Sequence, residues 1–343
     1  MNTRLSPLVC TFLLFASVVS ASGRDVPFPA PDTVSPGLRD MIADGLPEGW
    51  NTPPRTAEEW KNWLDAMAQT QAASIPALRK KLGVTATPAT IAGVPVFIIK
   101  PEALPENGLT LLHFHGGGYV LGKGESGTRE AVLMAGLGNF KVVSVDYRMA
   151  PDFPYPAAID DAVAVYRELL TELPAQSIGV FGTSTGGAMT LILALRAKAE
   201  GLPMPAALAA GTPWSQLNNK GDSYVTNERV DNVLVSYDGW LAGAAERYAN
   251  GHDKEDPFLS PINGDVRNFP PTLLTSGTRD LFLSNTVRMH LKLREAGVPA
   301  DLIVFEGLSH AQYAMNEDLP ETRFHFKELE RFFKKHLRRE KPN

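Results

Sequence analysis

The chain has 343 residues, 44% of them apolar, with 33 basic and 38 acidic side chains for a net charge of −5. This is enough apolar material for a sizeable core in one large α/β domain or two smaller ones, and outside the ends no stretch has a disordered composition. The mild, scattered negative charge lacks the basic stripe that counterion-driven binding requires, which argues against a nucleic-acid partner.

The first residues, MNTRLSPLVCTFLLFASVVSA, set Arg4 before an apolar run from Leu8 to Val19 and end on Val19-Ser20-Ala21. That pattern predicts a secretory signal peptide over residues 1–21, cleaved after Ala21, and export to the periplasm or the medium. The run is shorter than the roughly 20 residues needed to cross a bilayer, so no stable membrane anchor is expected. The single cysteine, Cys10, lies inside this segment, and Val9 before it is not the small residue a lipoprotein site would need. The exported chain would therefore rely on its core and not on disulfides.

Residues 22–55 are rich in proline and polar residues, with a short helix expected around 37–44. From Thr56 to about Lys81, Trp60, Trp63, Leu64 and Met67 recur at helical spacing. Residues 22–85 thus suggest a helical N-terminal extension, and 86–343 the main domain. From Val96 the runs VFIIK, LTLLHFH, KVVSVDY, SIGVFG, AALAAG, PTLLTSG and DLIVFEG alternate with helical stretches, which predicts a mostly parallel sheet with helices on both faces. The alternation stops over about 214–268, an insertion of the length expected of a lid.

Two glycine-rich stretches compete for function. Gly122-Lys123-Gly124-Glu125-Ser126-Gly127 fits G-x-G-x-x-G, and Asp146 closes a later strand where a ribose-binding acid would sit. A dinucleotide fingerprint, however, has its first glycine at the strand end, and here LTLLHFH ends well before Gly122. The second stretch, Gly182-Thr183-Ser184-Thr185-Gly186, fits G-x-S-x-G between the strand SIGVF and the helical GAMTLILALRAKA, the context of a nucleophile elbow.

A serine nucleophile needs a histidine base oriented by a carboxylate, in the chain order Ser, Asp or Glu, His. Of the histidines after Ser184, His252 lies in the insertion, His290 in a helix, and His325 and His336 in the charged C-terminal helix; these are expected to be solvated or half-buried. His310 follows the strand DLIVFEG and is the expected base. Asp280 follows PTLLTSG and is the expected acid, whereas Asp222, Asp231, Asp238, Asp253, Asp256 and Asp265 fall in the insertion and are expected at the solvated surface. Backbone N–H donors for an oxyanion are expected after LTLLHF, at His115-Gly116-Gly117-Gly118, with His115 orienting the loop.

With HGGGYVLG at 115–122, DYRMAPDFPYPAAIDDA at 146–162, GTSTGG at 182–187, SGTRDLFL at 276–283 and GLSH at 307–310, the chain resembles the hormone-sensitive-lipase-like, HGGG-motif α/β-hydrolases from about Val96 onward. The resemblance implies an α/β-hydrolase fold with a helical cap. It implies Ser184 as nucleophile, Asp280 as orienting acid and His310 as general base, with oxyanion donors on Gly117, Gly118 and Thr185. It also implies a cap over the acyl pocket built from residues 22–85 and about 214–268, with Tyr119 and Trp214 as substrate-binding residues and Trp214, Tyr224, Tyr237 and Trp240 each either lining the pocket or packing the cap together. Thr185 and Tyr119 stand where alanine and tryptophan or phenylalanine are frequent. The expected activity is serine carboxylester hydrolysis of short- to medium-chain acyl esters without metal or cofactor. Lactone hydrolysis, amide hydrolysis and ligand binding without catalysis are the alternatives, and a homodimer is left open.

Overall fold

The structure is a computed structural model that describes residues 28–104 and 109–338, so the predicted leader at 1–21, with Cys10, lies outside the described residues. Eight strands form one sheet: β1 (Val84–Ile91), β2 (Val94–Pro101), β3 (Thr110–Phe114), β4 (Lys141–Val145), β5 (Ile178–Thr183), β6 (Ala207–Gly211), β7 (Thr272–Gly277) and β8 (Ala300–Phe305). Their order is β1-β2-β4-β3-β5-β6-β7-β8. Pairing is antiparallel for β1 with β2 and β2 with β4, and parallel from β4 to β8.

The central strands are buried on both faces, which is why they read as continuous apolar runs. Successive residues nevertheless serve different cores. Leu112, Val143 and Val180 pack with helices α5 (Ala157–Glu172), α6 (Thr185–Ala199) and α9 (Leu283–Glu295). Leu111, Val142 and Phe181 pack with α4 (Arg129–Gly138) and α10 (Pro320–His336) on the opposite side. Every parallel strand thus delivers its C-terminal end to one edge, where the turns carry the chemistry.

β1 was not among the expected strands. Its sequence VTATPATI is mostly solvent-facing, so burial leaves no periodic signal, and the boundary placed at residue 86 falls inside it. A two-residue hairpin at Ala92-Gly93, both with positive φ, joins it to β2. The expected helix from Thr56 to about Lys81 is two helices, α2 (Ala57–Ala73) and α3 (Ile75–Leu82). Thr56 and Glu59 close a reciprocal capping box at the start of α2. Pro76, in the first turn of α3, cannot donate into a continuous helix, and the chain breaks before it. α1 (Pro36–Ala43) stands where the short helix was expected. Between β6 and β7, α7 (Ser223–Thr226) and α8 (Ala242–Ala249) lie in the inserted segment expected as the cap.

Candidate active site

Ser184 sits between β5 and α6 with φ 64° and ψ −120°, a conformation that L side chains rarely adopt. The turn persists because its neighbours leave no alternative. A Cβ at Gly182 or at Gly186 would strike the carbonyl oxygen of Phe114 at the end of β3. The Ser184 N–H donates to Gly211 O (2.9 Å) and its carbonyl accepts from Trp214 N–H (3.0 Å), which ties the elbow to the end of β6. Beneath it, Thr183 Oγ1 donates to Glu130 Oε1 (2.6 Å) and lies 3.0 Å from Tyr313 OH.

The turns after β7 and β8 bring Asp280 and His310 together. His310 Nδ1 is 3.0 Å from Asp280 Oδ1, and both side chains are buried. Asp280 Oδ1 also accepts from Phe282 N–H (2.8 Å), while Oδ2 accepts from Ser276 Oγ (2.7 Å) and from the Thr212 hydroxyl, which lies 3.1 Å from His310 Nδ1. Burial works against ionisation of Asp280, but the facing imidazole and these donors outweigh it and hold its carboxyl below the usual range. With Nδ1 committed to Asp280, Nε2 of His310 is buried and has no hydrogen-bond partner among the described residues. His310 and Ser184 line the same cavity.

The loop after β3 carries the glycines expected as oxyanion donors. Gly117 and Gly118 have positive φ, and among the described residues their N–H groups donate to no backbone acceptor. Thr185 is the first residue of α6, so its N–H has no intrahelical acceptor. His115 holds this loop from behind. Its Nδ1 donates to Gly116 O (2.8 Å), its ring stacks on Tyr147 at 4.1 Å, and Tyr147 OH donates to His115 O (2.7 Å). Burial pushes the His115 imidazole down to about 4, so it stays neutral at working pH. The DYRMAP stretch thereby contributes Tyr147 as the clamp on the glycine loop.

The cavity around Ser184 has a volume of about 550 Å³ and is walled by Trp63 and Met67 of α2, Val233, Leu234 and Trp240 of the cap, and Met315. A second cavity of about 760 Å³ shares Trp63, Met67, Val233, Leu234 and Trp240 with it and extends outward to Trp50 and Arg55.

A family model described as alpha/beta hydrolase fold matches residues 111–314. The chain belongs to the α/β-hydrolase family. An acetyl-hydrolase of Streptomyces hygroscopicus is 31% identical over 219 residues, 64% of this chain and 73% of that protein. An ethyl acetate hydrolase of Pseudomonas putida is 30% identical over 224 residues, 63% of this chain and 69% of that one. The crystal structure of an esterase superposes with a TM-score of 0.88 at 40% identity, covering 93% of this chain and 99% of the other. A hormone-sensitive lipase from a metagenome library gives 0.72 at 27% identity, covering 81% and 99%. Within the family this α/β-hydrolase is a carboxylic ester hydrolase of the hormone-sensitive-lipase-like kind.

Several side chains of the hydrolase stand elsewhere than expected. Tyr119 and Trp214 are outside the cavity lining. Tyr119 is fully buried and stacks on Tyr248 of α8 at 3.6 Å, which fastens the glycine loop to α8. Trp214 stacks on Phe282, whose ring meets the edge of His310, so it backs His310 and does not line the cavity. Tyr224 and Tyr237 pack the cap, and of the cap aromatics singled out from the sequence only Trp240 lines the cavity. His325, expected to be solvated or half-buried, is buried against Tyr313. The G-x-G-x-x-G match has a packing cause: a Cβ at Gly122 or Gly127 would collide with the His115 ring. Asp146 accepts from Gly124 N–H (2.8 Å).

Two residues of the site escaped the sequence reading. Thr212, directly after β6, touches both Asp280 and His310. Asp231, expected at the surface, is fully buried, and with Asp280 and His310 it forms a set whose ligand atoms lie within 4.8 Å of one another. The oxygens of both carboxylates are taken up by hydrogen-bond donors, so the set is built as a hydrogen-bonded charge cluster and not as an open ligand shell. Its signal was the apolar frame of Val230-Asp231-Asn232-Val233-Leu234-Val235, unusual for a solvated aspartate.

Proposed function

We propose that this hydrolase cleaves short- to medium-chain acyl esters of small molecules through a Ser184-His310-Asp280 triad and an acyl-enzyme. The observation that carries the reading is His310, held through Nδ1 by Asp280, with no hydrogen-bond partner for Nε2 among the described residues, in the cavity that Ser184 lines. His310 Nε2 takes the Ser184 proton as Oγ attacks the carbonyl and returns it to the leaving alcohol. Asp280 keeps the imidazole in the required tautomer and stabilises the imidazolium. The N–H groups of Gly117, Gly118 and Thr185 receive the oxyanion, and water then releases the acid by the reverse sequence. The cavity volume and its apolar walls favour a modest acyl chain over a long one.

The test is hydrolysis of p-nitrophenyl butyrate by the parent and by Ser184→Ala. The expected result is turnover in the parent and a loss of about 10³-fold or more in the variant. Equal rates would overturn the assignment of the nucleophile. Profiling against lactones and anilides ranks the alternatives that share this machinery, and light scattering reads whether two copies pair. Export belongs to the same proposal and rests on the Arg4 and Leu8–Val19 pattern. Expression of the full chain in a bacterial host should yield exported protein beginning at Ser22, and an intact N-terminus in the cytosolic fraction would refute it.

A further inference from the structure

Asp231 belongs to the cap, yet its contacts are with the catalytic turns. Its Oδ2 accepts from the N–H of Leu281, the residue after the acid (2.8 Å), and from the N–H of His310 itself (3.3 Å). Its Oδ1 accepts from the N–H groups of Val233 (2.8 Å) and Leu234 (3.1 Å), the two residues of this segment that wall the cavity. The flanking residues extend the same contact. Asn227 Nδ2 donates to Asp280 O (2.8 Å) and to Thr278 O (3.2 Å). Asn232 N–H donates to Ser309 Oγ (3.2 Å), and Asn232 Oδ1 accepts from Gln312 Nε2 (2.9 Å).

We propose that Asp231 is a positioning residue for the triad: a single buried carboxylate fixes the backbone of the acid turn, the backbone of the base turn and the cap wall in one geometry, and adds a second negative charge beside His310. Two independent loops have no covalent reason to hold a stable imidazole-to-carboxylate distance, and misplacement by about 1 Å is enough to cost about 10²-fold in rate. An acceptor that binds an N–H from each loop supplies that constraint. Among the described residues the titratable groups facing Asp231 are Asp280 on the β7–α9 turn and His310 on the β8–α10 turn. On its own segment Arg229 stacks over Trp50, and Glu228 accepts from Ser236 Oγ.

The inference rests on the triad reading, which Ser184→Ala tests separately. For this one the variant is Asp231→Asn, which keeps the shape but removes the charge and one acceptor oxygen. Active sites are counted with a sulfonyl fluoride that labels the serine, and kcat, KM and the pH profile are measured on p-nitrophenyl acetate and butyrate. Expected are a kcat per labelled site about 10- to 100-fold below the parent, equal for both esters, and an acidic limb of kcat/KM displaced to lower pH because a charge that favours imidazolium is gone. A kcat per labelled site within about threefold of the parent overturns the proposal, and so does an acidic limb that stays in place. If Asp231→Asn does not fold, Asp231→Glu decides, because it keeps the charge but displaces the acceptor oxygens from the N–H groups of Leu281 and His310: the expected kcat per labelled site is about tenfold or more below the parent, and one within about threefold overturns the proposal.

Discussion

The elbow and the cap hold their residues by different means. At the elbow backbone meets backbone: Gly182 and Gly186 press on the Phe114 carbonyl, and Ser184 is bonded through its own N–H and C=O to the chain around β6. In the cap side chains do the holding, as where Tyr224 packs on Tyr237, Trp240 on Trp63, and Asp231 gathers four N–H groups. Backbone contact tolerates almost no substitution and sets whether chemistry happens at all. Side-chain contact tolerates more and sets what is admitted, with Asp231 as the place where the two regimes meet.

The hardest blow to this contrast would be an elbow that accepts a side chain. Gly186→Ala puts a methyl group against the Phe114 carbonyl, and the expected cost is about 3 kcal/mol or more, seen as a lower urea midpoint and little folded enzyme. A folded, fully active variant would mean that the elbow is not backbone-limited. Next in size is acid stability on the sheet side. Burial pushes the imidazole of His325 down to about 3 and that of His115 to about 4. The unfolded chain binds protons near 6.5 while the folded one does not. The stability these groups give is therefore full above about pH 6.5 and is lost as pH falls toward 4 and below. His325→Phe, in a site already stacked on Tyr313, should abolish about 2 kcal/mol of that loss, read as a flatter urea midpoint against pH between 7 and 4. The smallest effect belongs to the cap. Trp240→Ala enlarges the cavity wall, and the KM ratio of hexanoate to acetate esters should move by about tenfold or less while Ser184 still turns over. A collapse of kcat instead would place Trp240, which packs over Gly118, among the residues that set the oxyanion loop.

The same contrast governs what could be read from the residues alone. Glycines forced by backbone approach leave a pattern at fixed spacing, so the elbow, the glycine loop and the strand-end positions of Asp280 and His310 were legible. Strands buried on both faces were equally plain. β1 was not, because its side chains mostly face water and Ala92-Gly93 is a weak turn signal. Thr212 and Asp231 were missed for another reason. Their partners lie 68 to 98 positions away for Thr212, and 50 and 79 away for the catalytic-turn contacts of Asp231. No local periodicity encodes such a reach, and an aspartate in an irregular insertion defaults to the surface. Tyr119 and Trp214 were misplaced because aromatic character marks burial without saying against what.

The way the segment 227–234 is stitched to the turns after β7 and β8 has a consequence for protein engineering. Exchanging caps between related hydrolases is an obvious route to new selectivity, and the sequence invites a cut at about residue 214, where the strand alternation ends. A chimera cut there would import foreign residues at 227, 231 and 232 and leave the acid and base turns without their tether. A graft that begins after Leu234 and ends before Pro271 would exchange Trp240 and α8 while the recipient kept its own stitching, and the second junction is the one to build.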